Sequence, residues 1–432
     1  MTRTDWFGDL PACWTRAIVG YYFDVGLGKM LNAAKKDEGG VPAPYLAAGS
    51  IQPEHLALDD PKTMSFTSDE LTRYDLRKDD IVVVEGGAGY GRSHLLTADM
   101  PGWGYQNHVA RIRRAGAVRP GYLLYCLKAC LASGYIEANN RTATLPSLSR
   151  DVLRALPIPI PSSDEQLAIA DFLDWETARI DTLIEEQQRL IDLLRERRQS
   201  AITNYVAGGF HSDLRDTGSQ WYPRLPGAWS LGRVKSFTIR VTDGAHISPE
   251  TENGVYDFVS TRDVKAGVID YAGSLKTSPE SYGYMVRTGC RPERGDVLFS
   301  KDGTVGETAI VREAREFVVA SSLVIISPDQ ARLVPEFLTY ALSSKAAREQ
   351  ATSMMRGAGL PRISVANLAR LEVPLPPVDE QRRIVALLDT QTSEIDALIA
   401  ETATFIELAR ERRSALITAA VTGQIDVRAE VA

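Results

Sequence analysis

Few side chains in this sequence are spaced for catalysis. The strongest chemical signal follows the apolar run Ile81-Val82-Val83-Val84. There Glu85-Gly86-Gly87-Ala88-Gly89-Tyr90-Gly91 reads as a glycine-rich loop of the kind that cradles S-adenosylmethionine. Such a loop needs a supporting helix behind it, and Pro101 and Gly102 break the stretch where that helix should run. Methyl transfer to a base also needs an Asn-Pro-Pro-Tyr or Asp-Pro-Pro-Tyr loop to hold the flipped nucleotide, and the sequence has neither. The plainer reading is a glycine-rich turn. Asp296 and Lys301 lie close together, but metal-dependent cleavage of a phosphodiester needs several clustered carboxylates. There is no Walker A lysine loop. The histidines His55, His94, His108, His211 and His246 stand apart from one another. Cys126 and Cys130 are four residues apart with no third ligand nearby, which makes them buried thiols rather than a metal site. The chain is therefore expected to hold no metal, no cofactor and no catalytic residues of its own.

Side chains suited to hydrogen-bonding base edges or phosphates are more plentiful. Arginine and lysine match guanine and phosphate, while asparagine and glutamine match adenine. In the first half these are Arg92, Gln106, Asn107, His108, Asn139, Asn140 and Arg141. In the second half they are Arg262, Lys276, Lys301, Ser321, Ser322, Arg356 and Arg362. All lie in or near polar or glycine-rich stretches. Arg111, Arg113, Arg114 and Arg119 form a further stripe of phosphate type.

The elements that must position these residues are set by an internal repeat. Residues 164–208 align without a gap on residues 379–423, an offset of 215, and about half of the positions are identical. The same offset carries Trp6, Leu10, Pro11 and Trp14 onto Trp221, Leu225, Pro226 and Trp229. Each half thus opens on a W-x-x-x-L-P-x-x-W segment and closes on a charged helix. Ile169, Leu173, Ile180, Ile184, Ile191 and Leu194 recur at spacings near three, four and seven. So do Ile384, Leu388, Ile395, Ile399 and Ile406. A narrow apolar stripe of this kind suits a coiled-coil-like seam. About 40 helical residues extend about 60 Å, long for packing within one domain and suited to a strut. Gly208 and Gly423 read as helix stops. Ser162 with Glu165 makes a capping box in the first copy; in the second, Pro377 stands at the serine position and Asp379 is the expected cap.

Between these features lie two stretches with β-rich apolar runs and a short helix after Pro120 or Pro335, which predicts mixed α+β domains. Asp80 to Gly87 matches Asp296 to Gly303 in pattern, so a common frame carries different loops. The expected order is domain 1 over 1–160, a helical spacer over 161–208, domain 2 over 209–375, a second helical spacer over 376–424, and a tail over 425–432. The overall charge of −7 looks wrong for a DNA-binding chain, but residues 164–208 carry −5 and residues 379–423 carry −3. The rest is close to neutral, and the acidity belongs to the helices, whose Arg-Glu-Arg-Arg ends suggest a surface for a protein partner. No export signal and no apolar run of membrane-spanning length is visible, so a cytoplasmic chain is expected.

Pro374 to Gln381, the helix through Glu411-Arg412-Arg413-Ser414-Ala415-Leu416-Ile417-Thr418, and Gly423 resemble the distal conserved region of type I restriction-modification specificity subunits. Pro159 to Gln166, through Gly208, resembles their central conserved region. Leu225-Pro226 with Trp229 is similar to the entry of a target-recognition domain, and Gly28-Lys29-Met30-Leu31 before Pro44-Tyr45-Leu46 is also family-like. The resemblance implies two target-recognition domains separated by two long antiparallel helices, an internal pseudo-twofold. Each domain would dock on one half-site of double-stranded DNA, and the helices would set the spacer between half-sites. It further implies two methyltransferase subunits, and restriction or translocase subunits, as partners. S-adenosylmethionine, Mg and ATP would reside on those partners.

Overall fold

A computed structural model describes residues 5–30, 40–139, 147–355 and 361–429, apart from 54, 88, 253 and 266. The chain forms two compact units that do not follow sequence order. The first contains residues 1–187 and 404–432, the second residues 188–403. Each unit therefore takes one globular domain, the near part of one long helix and the far part of the other.

In the first unit a four-stranded antiparallel sheet runs in the order Phe23–Leu27, Val109–Arg114, Ile81–Val84, Ser93–Leu95. The middle strands are apolar on both faces, as Ile81, Val82, Val83 and Val84 are all buried. One face packs on the helix Pro120–Ala132, with Tyr122, Leu123, Cys126 and Cys130 in the same core. The other face meets a smaller three-stranded sheet, Thr63–Phe66, Val41–Leu46 and Gly104–Tyr105, whose last pairing is parallel. The second unit repeats both sheets in the same order and adds two short strand pairs, Leu214–Asp216 with Arg224–Pro226 and Val264–Lys265 with Val268–Ile269. Its larger sheet runs Thr238–Asp243, Leu323–Pro328, Val297–Ser300, Thr308–Ile310. Its smaller sheet runs Leu275–Thr277, Tyr256–Val259, Phe317–Val319, again with one parallel pairing. The helix Pro335–Ser343 stands where Pro120–Ala132 does, with proline in the first turn of both, where a missing N–H costs nothing. The two domains are thus mixed α+β, as the apolar runs predicted.

A two-stranded pairing closes each domain just before its helix: Thr15–Ile18 on Pro157–Ile160, and Ser230–Arg233 on Glu372–Leu375. The long helices then span Ser163–Val206 and Val378–Val421, 44 residues each, or about 66 Å of helix. The first begins on the Ser162–Glu165 capping box, whose reciprocal bonds measure 3.1 and 3.3 Å. The start of the second differs from the expectation. Asp379 lies inside the first turn, bonded to Arg382 rather than to backbone N–H groups, and Gln381 anchors the helix start instead. The Gln381 carboxamide accepts from the Val334 N–H at 2.8 Å and donates to the Arg332 and Pro376 carbonyls. Gln166 does the same in the first unit, accepting from the Arg119 N–H and donating to the Pro161 carbonyl.

Within each unit the two helix segments run antiparallel. In the first, Arg413 Nη2 bonds Asp181 at 3.0 Å and Arg428 lies 3.6 Å from Glu165. In the second, Arg198 Nε lies 3.0 Å from Asp396, and Gln391 donates to the Tyr205 hydroxyl. Asp181–Arg413 and Arg198–Asp396 are the same pair at the repeat offset with the roles exchanged. Of the stripe, Ile169, Leu173 and Ile180 are buried in the first unit together with Ile406. Ile191, Leu194, Ile384, Leu388 and Ile395 are buried in the second. Each such side chain contributes about 1.5–3 kcal/mol on burial. Ile184 and Ile399 are only half-buried. The helix stops are seated on the repeated tryptophan segments. A Cβ on Gly208 would come within 2.5 Å of Pro226, and one on Gly423 within 2.6 Å of Pro11. Both glycines also adopt positive φ, +67° and +72°.

Candidate nucleic-acid interface

The two domains bring one kind of turn to one place, the meeting of their two sheets. In the first domain this turn is Gln106-Asn107-His108. The Gln106 N–H donates to the Leu46 carbonyl, the Asn107 N–H to Lys29, and the Glu85 N–H to His108 at 2.9 Å. In the second it is Ala320-Ser321-Ser322, where the Ala320 N–H donates to Val259, the Ser321 N–H to Ala245, and the Lys301 N–H to Ser322. The backbone frame is the same bond for bond. Its close approach explains two glycines: a Cβ on Gly28 would lie 2.2 Å from the Tyr105 carbonyl oxygen, and one on Gly244 2.1 Å from that of Val319. No larger residue fits without moving the strand.

The side chains on this common frame differ. Asn107 is half-buried and His108 is exposed, with its Nδ1 3.9 Å from the Glu85 carboxylate. Burial pushes the Glu85 carboxyl up, and His108 opposes this. In the second domain Lys301 takes the Glu85 position and is buried, its ammonium 2.7 Å from Asp243. His246 shares that carboxylate at 2.8 Å. Burial alone would raise the Asp243 carboxyl, yet Lys301 and His246 hold it below its ordinary value. Arg362 lies against Asp302 beside this turn, and the Ile363 N–H bonds the Lys301 carbonyl. One turn thus presents an amide and an imidazole. The other presents two hydroxyls beside the Arg362–Asp302 ion pair.

The residues singled out by sequence fall into several places. Gln106, Asn107 and His108 come together, as do Lys301, Ser321, Ser322 and Arg362. Gln106 itself is buried within its turn, and Lys301 is engaged by Asp243, so neither side chain is open as it stands. Arg92 and Arg262 line open clefts beside the long helices. Lys276 lies apart, held with Arg315 and Ser274 on the buried Asp257 carboxylate. Asn139 ends the short helix Tyr135–Asn139, whereas Asn140, Arg141 and Arg356 lie outside the described residues. The arginine stripe is largely structural. Arg113 bonds Asp80 and Asp75 at 2.6–2.8 Å, and Arg111 bonds Asp75 at 2.9 Å. The Arg113 and Arg77 guanidiniums hold the Asp75 carboxyl below its ordinary value against the effect of burial, which would raise it. Arg114 and Arg119 bond backbone carbonyls. Asp296 is likewise structural, paired with Arg240 at 2.9 Å and accepting from the Glu293 N–H, as Asp80 accepts from Arg77.

The glycine-rich segment after Glu85 is a hairpin turn. Gly87 and Gly91 sit at φ +82° and +78°, and the Gly91 N–H returns to the Val84 carbonyl. It joins the strands Ile81–Val84 and Ser93–Leu95, so a strand follows the loop where a cofactor-cradling loop would run into a helix. Among those residues no group of three histidine, cysteine or acidic side chains could hold a metal ion, and no helix is long and apolar enough to cross a membrane.

The model of the type I restriction modification DNA specificity domain matches this chain twice, over residues 22–192 and 241–407. The chain belongs to the type I specificity family. Similar curated proteins include the EcoBI specificity subunit of Escherichia coli, 25% identical over 289 residues. That alignment covers 65% of this chain and 58% of the EcoBI subunit, under two thirds of its length. The MjaVIII specificity subunit of Methanocaldococcus jannaschii is 22% identical over 324 residues, covering 71% and 70% of the two chains. Among solved structures, a chain from a study of complex assembly and conformational transition of the type I R-M system superposes with a TM-score of 0.68. It shares 17% identity, with 96% of this chain and all of the other covered. The fold is therefore that of a type I specificity subunit, two recognition domains with long helices. The domain that this family model describes is a DNA specificity domain, and the chain carries two copies of it.

Proposed function

We propose that this specificity subunit reads a bipartite, asymmetric site in double-stranded DNA, one recognition domain to each half-site, and directs adenine methylation or cleavage by partner subunits. The observation that carries this reading is the repeated turn. The same backbone bonds hold Gln106-Asn107-His108 in one domain and Ala320-Ser321-Ser322 in the other. A fixed frame with different hydrogen-bonding groups is what two unlike half-sites require. The long helices set the spacer between them. They also receive two methyltransferase subunits. In support, both helices carry repeat-related exposed apolar side chains: Leu183, Leu190 and Leu193 on the first, Leu398, Phe405 and Leu408 on the second. Acidic residues surround this stripe, which suits protein contact and disfavours DNA. S-adenosylmethionine, Mg and ATP belong to the methyltransferase and restriction or translocase partners, and the assembly works in the cytoplasm. The test is a genome-wide map of N6-methyladenine in cells with and without this gene. Loss of one asymmetric two-part motif on deletion is expected. An unchanged map in cells that express the chain would contradict the reading.

A further inference from the structure

Two open clefts, one in each unit, occupy repeat-equivalent positions between a recognition domain and a long helix. In the first unit the helix wall is Arg410, Arg413 and Ser414 with Asp181 and Ile184 from the other helix, and the volume is about 430 Å³. In the second it is Arg195, Arg198 and Gln199 with Asp396 and Ile399, and the volume is about 1070 Å³. The domain wall is built from the same element in both. Tyr90 and Gly91 of the glycine hairpin line the first cleft, and Gly303 and Thr304 of its counterpart line the second. These turns continue directly from Glu85 and Lys301, whose backbone N–H groups bond His108 and Ser322 of the reading turns.

The lining is cationic although the helices are acidic. The second cleft gathers Arg195, Arg198, Arg262, Lys265 and Arg348 against the carboxylates Glu307 and Asp396. The first gathers Arg92, Lys128, Arg410 and Arg413 against Asp181. In each, a helix carboxylate across the cleft holds one arginine, Arg198 on Asp396 and Arg413 on Asp181, while Arg195, Arg262 and Arg410 pair with the nearby Asp192, Asp263 and Glu407. Lys265 and Arg348 are exposed and have no carboxylate partner among the described residues. Leu131, Ile184 and Ile417 add apolar surface to the first cleft, and Val264 and Ile399 to the second, but in both the lining cations outnumber the lining carboxylates, and an open site of that charge suits a polyanion.

We propose that each cleft grips the phosphate backbone of duplex DNA beside its half-site, without reading sequence, and that the larger cleft in the second unit engages more phosphates. The proposal rests on the DNA reading above. It gives the glycine hairpins a role, as the walls that join the reading turn to the helix arginines.

The test uses the full chain assembled with its methyltransferase subunits. Binding is measured across salt concentrations to a random-sequence duplex of about 40 base pairs, long enough to reach the flanks of either half-site, and to one bearing the mapped motif. Replacing Arg195, Lys265 and Arg348 together by glutamine should weaken both duplexes by the same factor. It should also flatten the dependence of log K on log salt by about 0.9 for each phosphate no longer neutralised, about 2–3 in all. Replacing Lys128 and Arg410 by glutamine should flatten it less, and Arg195→Lys with Arg348→Lys, which keeps the charge, should leave the slope in place. An unchanged slope in the triple variant would overturn the proposal. So would a loss confined to the motif-bearing duplex, which would make these residues base readers, or failure of the complex to assemble, which would make the cleft a partner interface. No binding of either duplex by the unaltered complex would defeat the DNA reading itself.

Discussion

The two units build the same joint by different routes. In the second, Gly208 ends its helix against Pro226 and Trp229, and the intervening chain is continuous. Trp229 also donates its indole N–H to Glu380 at 3.0 Å, and His211 reaches the same carboxylate at 2.7 Å. In the first, Gly423 ends its helix against Pro11 and Trp14, which lie at the opposite end of the sequence. Arg428 from the tail approaches Glu165, the counterpart of Glu380, and Val427 is buried in the same core. Packing of a positive-φ glycine on a proline and a tryptophan specifies the joint, and covalent continuity is dispensable to it. At the joint itself the units differ in the surrounding polar groups, Trp229 and His211 on Glu380 in one and Arg428 beside Glu165 in the other.

This equivalence can be broken by paired substitutions, one in each unit. The largest effect belongs to the seam. Leu173 and Leu388 are repeat-related and fully buried, so Leu173→Ala and Leu388→Ala should each destabilise by about 2–5 kcal/mol, through the apolar surface removed and the cavity left behind. Denaturant unfolding should show the two costs to be alike. A small effect at one site alone would show that the units bury their seams differently. The smallest effect belongs to the exchanged ion pairs. Asp181→Asn and Asp396→Asn should each cost about 0–1 kcal/mol, because both pairs remain partly open to water. Thermal unfolding with and without added salt sharpens the point, since salt should erase what difference there is.

Much of this architecture is legible in the sequence because it is repeated. The offset of 215 locates both helices and both tryptophan segments, and an offset of 216 the matched strands that begin at Asp80 and Asp296. The seam is legible because helical periodicity marks one face, although it does not show that Ile184 and Ile399 are drawn into the clefts. The reading turns are half legible. Polarity picks out Asn107, His108, Ser321 and Ser322, while only the strand pairing reveals that they occupy one position in two domains. Polarity misleads for Arg111, Arg113 and Lys276, because a strand places carboxylates beside them that lie far away in sequence. The role of Gln166 and Gln381 is hidden. Their recurrence beside Glu165 and Glu380 is the available signal, but a buried carboxamide bridging two segments has no periodic signature. The cleft cations Lys265 and Arg348 lie in elements whose neighbours are set by the tertiary fold.

The central claim is that each domain reads its own half-site. The most direct test replaces residues 1–160 with the corresponding recognition domain of another specificity subunit and maps N6-methyladenine in cells carrying the exchanged chain. One half of the two-part motif should change, while the other half and the spacer length stay as they were. A map in which both halves change, or neither does, would contradict the account.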